Sequence, residues 1–189
     1  LDLRRHNRQL EDYCILYRSN FQSRVLEESL REAKLPYRVV GGKSFFERKE
    51  IRDALAYLKL IQNPNDLVSL QRVINTPRRG IGKTSLMQLN ACVAETSLPV
   101  LKIMSQARKY SSIPAEAASS MEVFSALMGD FEGRFEKGNL GEVFRELIDE
   151  LGYLRFLEQQ SGDVKSREKR IQVVQELLRG AQRLSLIHI

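Results

Sequence analysis

Residues 75–86, Asn75-Thr76-Pro77-Arg78-Arg79-Gly80-Ile81-Gly82-Lys83-Thr84-Ser85-Leu86, bring two glycines, three cations and the hydroxyls of Thr84 and Ser85 to the entrance of a helical pattern. These residue types at this spacing suit the gripping of phosphate. Glycines on either side of Ile81 let the backbone turn tightly and leave N–H groups bare. The helix start that follows adds its own unpaired N–H groups and the positive end of its dipole. Arg78, Arg79 and Lys83 supply mobile positive charge around that anchor. Such a device holds a sugar-phosphate backbone without reading its bases, and its candidate contacts are Arg78, Arg79, Gly80, Ile81, Gly82, Lys83, Thr84 and Ser85. The same stretch also fits an ordinary interhelical turn with Ile81 plugging a core, and the residues alone leave both readings open.

A nucleotide loop is a poorer fit. Gly82-Lys83-Thr84 and Gly42-Lys43-Ser44 both look like the tail of G-x-x-x-x-G-K-[ST]. Five positions before the second glycine, however, stand Pro77 and Tyr37, where that loop needs glycine. The first match also follows a helical pattern rather than a strand, the wrong setting for a loop that wraps a triphosphate. No cofactor or metal site is expected in this chain. His6 and His188 lie at the two extremes, so no central histidine is available as a general base or ligand. Cys14 and Cys92 sit in apolar surroundings and read as two buried thiols rather than a disulfide or metal pair.

The elements that must position the glycine turn are mostly helical. A chain of 189 residues, 42% hydrophobic and 29% charged, suits one good core or two small ones. It has no apolar run long enough to span a bilayer, and a cytoplasmic setting is expected. The net charge of +6 is uneven. Eleven cations against 8 carboxylates give +3 for residues 1–50, 9 against 3 give +6 for 51–110, and 10 against 13 give −3 for 111–189. Cations gathered around the glycine turn point to one polyanion-facing surface.

Residues 1–10 are polar and basic without a period. Tyr13-Cys14-Ile15-Leu16-Tyr17 reads as a buried strand, residues 22–33 as a helix with Val25, Leu26, Leu30 and Ala33 on one face, and Tyr37-Arg38-Val39-Val40 as a second strand. Ser44 and Glu47 fit a capping box ahead of the stripe Ile51, Ala54, Leu55 and Leu58. Asp66 is placed to cap the next helix and Ser85 the one after the glycine turn. A short helix follows Pro99. Beyond the break at Ser111-Ser112-Ile113-Pro114, helices are expected over roughly 115–137, 140–151, 153–160 and 164–181. The paired Phe45-Phe46 fits either a base-stacking platform or a staple fixing a helix start to the core. The fold class is therefore mainly α, a multi-helix bundle preceded by a small βαβ piece, with domains at 1–43 and 44–183. Residues 184–189 read as a tail foreign to the native chain.

Three blocks, taken together, resemble the superfamily 1A DNA helicases of the UvrD/Rep/PcrA family. They run from Ile15 to Glu28 (ILYRSNFQSRVLEE), from Pro36 to Ala54 (PYRVVGGKSFFERKEIRDA) and from Asn75 to Gly82 (NTPRRGIG), and their order and spacing agree with the family over about residues 12–90. The resemblance implies the beginning of the RecA-like subdomain 2A followed by most of the helical subdomain 2B. It implies single-strand contacts at Arg18 and Asn20, from the family's YRxN block, and duplex contacts at Arg79, Gly80, Ile81, Gly82, Lys83 and Ser85, from its GIG turn. Phe21 stands where relatives often carry a small residue. ATP and Mg belong, on this reading, to the parent motor. This piece, lacking the Walker elements and arginine fingers, should not hydrolyse ATP alone. The expected partner is DNA at a junction of single strand and duplex, with regulatory, repair or replication proteins and self-association as further partners. A helical protein-interaction module without direct DNA binding is the competing reading.

Overall fold

Proline, glycine and capping residues cut the sequence into helix-length runs, and the structure, a computed structural model, follows those cuts. It describes residues 9–18, 22–40, 44–160 and 162–187, with side chains through 183. The chain divides into two units, Leu1–Arg48 and Lys49–Ile189.

In the first unit a 3-10 turn (Leu10–Asp12) precedes helix α1 (Gln22–Glu32), and a second 3-10 turn spans Phe45–Glu47. The expected βαβ piece is not formed, and there is no strand among the described residues. A strand is held by its ladder partners, and two short parallel runs cannot supply a stable sheet between them. Segments 13–17 and 37–40 are without regular structure, with Leu16 90% and Val40 77% exposed, so the first is not a buried strand. Cys14 is likewise exposed, while Cys92 is buried.

The buried face of α1 also differs from the apolar stripe. Val25 is exposed and Ser23, Arg24 and Glu27 are buried. Glu27 explains this arrangement, because its carboxylate accepts the Phe45 N–H at 2.9 Å, the Tyr37 hydroxyl at 3.0 Å and the Ser44 hydroxyl. A buried carboxylate needs such a set of donors. Ser44 is thereby withdrawn from the expected capping box, and the following helix starts later, at Lys49.

The second unit contains α2 (Lys49–Gln62), α3 (Leu67–Val73), α4 (Lys83–Thr96), α5 (Val100–Met104), α6 (Ala115–Lys137), α7 (Leu140–Glu150), α8 (Tyr153–Gln159) and α9 (Val164–Ile187). Asp66 caps α3 by accepting the Ser69 N–H at 2.9 Å, and Asn139 caps α7 by accepting from Gly141 and Glu142. Helix α9 continues to Ile187, past the expected end near 181. α2 packs against α3, α6 and α9, and α7 against α9. Ile51, Tyr57, Leu60, Phe124, Phe131, Phe144, Leu147 and Val174 form the core. α7 and α9 approach so closely that a Cβ on Gly141 would lie 2.4 Å from the Gln182 Cα.

Candidate nucleic-acid interface

The glycine turn joins α3 to α4, and Ile81 fastens it. This side chain is 1% exposed, so the apolar residue between the glycines is a core plug. Asn75 secures the turn from the other side. Its Oδ1 accepts the N–H groups of Arg79 (3.3 Å) and Ile81 (3.2 Å), and its Nδ2 donates to the Ile81 carbonyl. Gly80 takes the left-handed conformation, φ 72°, which favours glycine.

Gly82 is different. Its φ of −73° and ψ of 170° are open to any residue, and a Cβ built on it meets nothing within 4 Å. Neither conformation nor packing requires glycine there. Gly82 is the N-cap of α4, which starts at Lys83, so Ser85 is not the N-cap expected from sequence; it lies in the first turn, 6% exposed. With no side chain on the cap residue, the first amides of the helix stay uncapped. Among the described residues, the N–H groups of Gly82, Lys83 and Thr84 have no protein acceptor. Arg78, Gly80, Gly82, Lys83 and Thr84 are exposed, and an open depression of about 390 Å³ lies over Asn75, Arg78, Gly80, Ile81 and Gly82. Arg78 and Lys83 form no ion pair or side-chain hydrogen bond among the described residues, which leaves their charges free.

Arg79 points the other way. Its Nη1 donates to the carbonyls of Val73 (2.9 Å), Ile74 (3.1 Å) and Pro77 (3.1 Å), and its Nη2 donates to the Tyr57 hydroxyl (3.0 Å). The guanidinium lies 4.7 Å from the Phe124 ring centroid. Tyr57 passes its own proton toward the carbonyl of Thr76. Burial pushes the Tyr57 hydroxyl up to about 12, against the opposing pull of the Arg79 charge. The Arg79 guanidinium is thus committed and the Ile81 and Ser85 side chains are buried, so these three side chains are not presented to solvent as those of Arg78 and Lys83 are. Nothing local to Tyr57 and Phe124 in sequence marks them as supports of a turn twenty or more positions away.

In the first unit, Arg18 is exposed and its N–H donates to the Gln22 side chain at 3.0 Å; Asn20 lies outside the described residues. Phe45 is buried and meets Phe46 edge to face at 5.2 Å, while Arg31 covers the Phe46 ring at 4.3 Å. Phe45 is thus taken up in the core of the first unit, and Phe46 is half-buried beneath Arg31. The turn that carries Lys83 links two helices rather than a strand and a helix.

The sequence pattern of the UvrD-like helicase C-terminal domain matches residues 1–186. The chain is 37% identical over 165 residues to the ATP-dependent DNA helicase PcrA of Bacillus subtilis (strain 168), covering 87% of this chain and 22% of that protein. It is 39% identical over 146 residues to the PcrA of Leuconostoc citreum, covering 77% and 20% respectively. It is 36% identical over 176 residues to DNA helicase II of Escherichia coli (strain K12), covering 93% and 24%. The chain thus spans between a fifth and a quarter of the length of these relatives.

Proposed function

This chain belongs to the UvrD-like helicase C-terminal domain family, and from that premise we propose that it is a DNA-binding accessory region of an ATP-dependent 3′-to-5′ DNA helicase. Arg78, Gly80, Gly82, Lys83 and Thr84 take duplex phosphates, and Arg18 with Asn20 takes the single strand. ATP and Mg act elsewhere in the whole protein, and no step is routed through them here. The observation that carries the reading is Gly82, a glycine that neither its dihedrals nor its neighbours demand, at the mouth of a helix with unpaired amides. A missing side chain with no internal reason is explained by a partner that must come close. A phosphate oxygen seated there meets the N–H groups of Gly82, Lys83 and Thr84, the positive end of α4 and the free charges of Arg78 and Lys83. Binding of this kind fixes register on the backbone and carries no base information. The duplex is thereby held while the rest of the motor draws on one strand.

The test is a titration of a labelled hairpin duplex carrying a single-stranded tail, at two salt concentrations, with wild type and Gly82→Asp. Wild type should bind in a strongly salt-dependent way, each phosphate contact contributing about −0.9 to the slope of log K against log salt. Aspartate is a good N-cap, so it should keep or raise the melting temperature while occupying the amides and repelling phosphate. Duplex affinity should then fall about tenfold or more, as expected for losing charge-assisted hydrogen bonds. A wild-type chain that ignores duplex at low salt would overturn the reading.

A further inference from the structure

We propose that Arg79 is the positioning residue of this corner: its guanidinium ties the end of α3 to Tyr57 of α2 and Phe124 of α6, and so holds Gly80, Gly82 and Lys83 in the shape a phosphate requires. The inference rests on the preceding reading of residues 80–84 as a phosphate seat.

Three observations carry it. The carbonyls that Arg79 gathers, from Val73, Ile74 and Pro77, close the C-terminal end of α3, where the last carbonyls have no helical partner and the dipole is negative. A cation placed there fixes how the chain leaves the helix. Second, Arg79 immediately precedes Gly80, the residue held at φ 72°, and its own N–H is caught by the Asn75 oxygen that also holds Ile81. Backbone and side chain of Arg79 thus fix the turn at two separate places. Third, among the described residues Arg79 has no carboxylate partner. Carbonyls, a hydroxyl and an aromatic face spread its charge without cancelling it, so the guanidinium adds a positive field beneath the seat although its donors are committed.

Position and field are separable because lysine keeps the charge and loses the planar fork. An ammonium cannot reach three carbonyls and the Tyr57 hydroxyl while keeping its charge over the Phe124 ring. The experiment measures affinity for the tailed hairpin across a salt series, well below each variant's melting temperature, for the whole chain carrying Arg79→Lys, Arg78→Gln or Tyr57→Phe. Arg78→Gln, which removes a direct contact, should reduce the salt slope by about 1. Arg79→Lys should weaken binding about tenfold or more although net charge is unchanged. Tyr57→Phe removes one tether and should give a smaller loss, about two- to fivefold, with the slope retained.

Wild-type affinity in both Arg79→Lys and Tyr57→Phe would overturn the positioning role. It would leave the phosphate seat standing if Arg78→Gln still flattened the slope. Absence of duplex binding by wild type would instead remove the seat itself. Should Arg79→Lys fail to fold, Tyr57→Phe decides alone: wild-type affinity there overturns the role and a several-fold loss supports it.

Discussion

Tyr57 holds its hydroxyl between the Arg79 guanidinium and the Thr76 carbonyl, and the arrangement works only while that hydroxyl is protonated. Burial raises its pKa from 10.0 to about 12, so the fold binds this proton more tightly than the unfolded chain does. The stability this confers is complete below about pH 10 and is lost as pH rises toward about 12, since the unfolded state releases the proton first. An alkaline titration followed by helical ellipticity and tyrosinate absorbance should show Tyr57 ionising together with unfolding. Tyr153 is raised too, by burial first and then by the charges of Asp53 and Glu50, so it should join the late-ionising group. Early ionisation of all six tyrosines with ellipticity unchanged would contradict this account. At this scale the sequence revealed the kind of residue and not its commitment. Arg78 and Arg79 are chemically alike and adjacent, yet one faces solvent and the other is held by groups on α2, α3 and α6. No spacing rule distinguishes them, because beside the nearby carbonyls of Val73, Ile74 and Pro77 the side chains that hold Arg79, Tyr57 and Phe124, lie 22 and 45 positions away.

At the scale of elements, the approach of α7 to α9 is set by a missing side chain. Gly141→Ala drives a Cβ into the backbone of Gln182, which cannot rotate away, and should destabilise the protein by about 1–3 kcal/mol, as overpacking does. Gly129, on the exposed side of α6, has nothing within 4 Å of an added Cβ. Gly129→Ala should therefore stabilise by about 0.5–1 kcal/mol through helix propensity. Denaturant melts of the two variants provide the comparison, and equal effects would refute the close-approach argument. Helix boundaries were readable where the signal is local: Asp66 caps its helix through a bond three residues ahead, as its sequence context implies. Local rules failed where a distant group competed. Ser44 gives its hydroxyl to Glu27 instead of to the following helix, and segments 13–17 and 37–40 have no ladder, because strand pairing is a property of neighbours.

For the molecule as a whole, the two units carry the two proposed contacts, Arg18 in the first and residues 80–84 in the second. The second unit draws a continuous core from its own helices, so residues 49–189 alone should melt cooperatively and keep salt-dependent duplex binding. Loss of the first unit should weaken binding to single strands more than to duplex, measurable by titrating each labelled form with both proteins. The positive character of residues 51–110 was legible in advance; which of its charges are spent internally, as in the Arg72–Asp53 pair at 3.0 Å, was not. Bolted by Ile81 and clasped by Asn75, the turn reaches its final shape when the chain folds, so a duplex landing there has little backbone left to freeze. Contact made by charge on a stiff pad should form rapidly and break readily. Binding and release of duplex at the proposed seat would then be governed by ion atmosphere rather than by slow rearrangement of the protein.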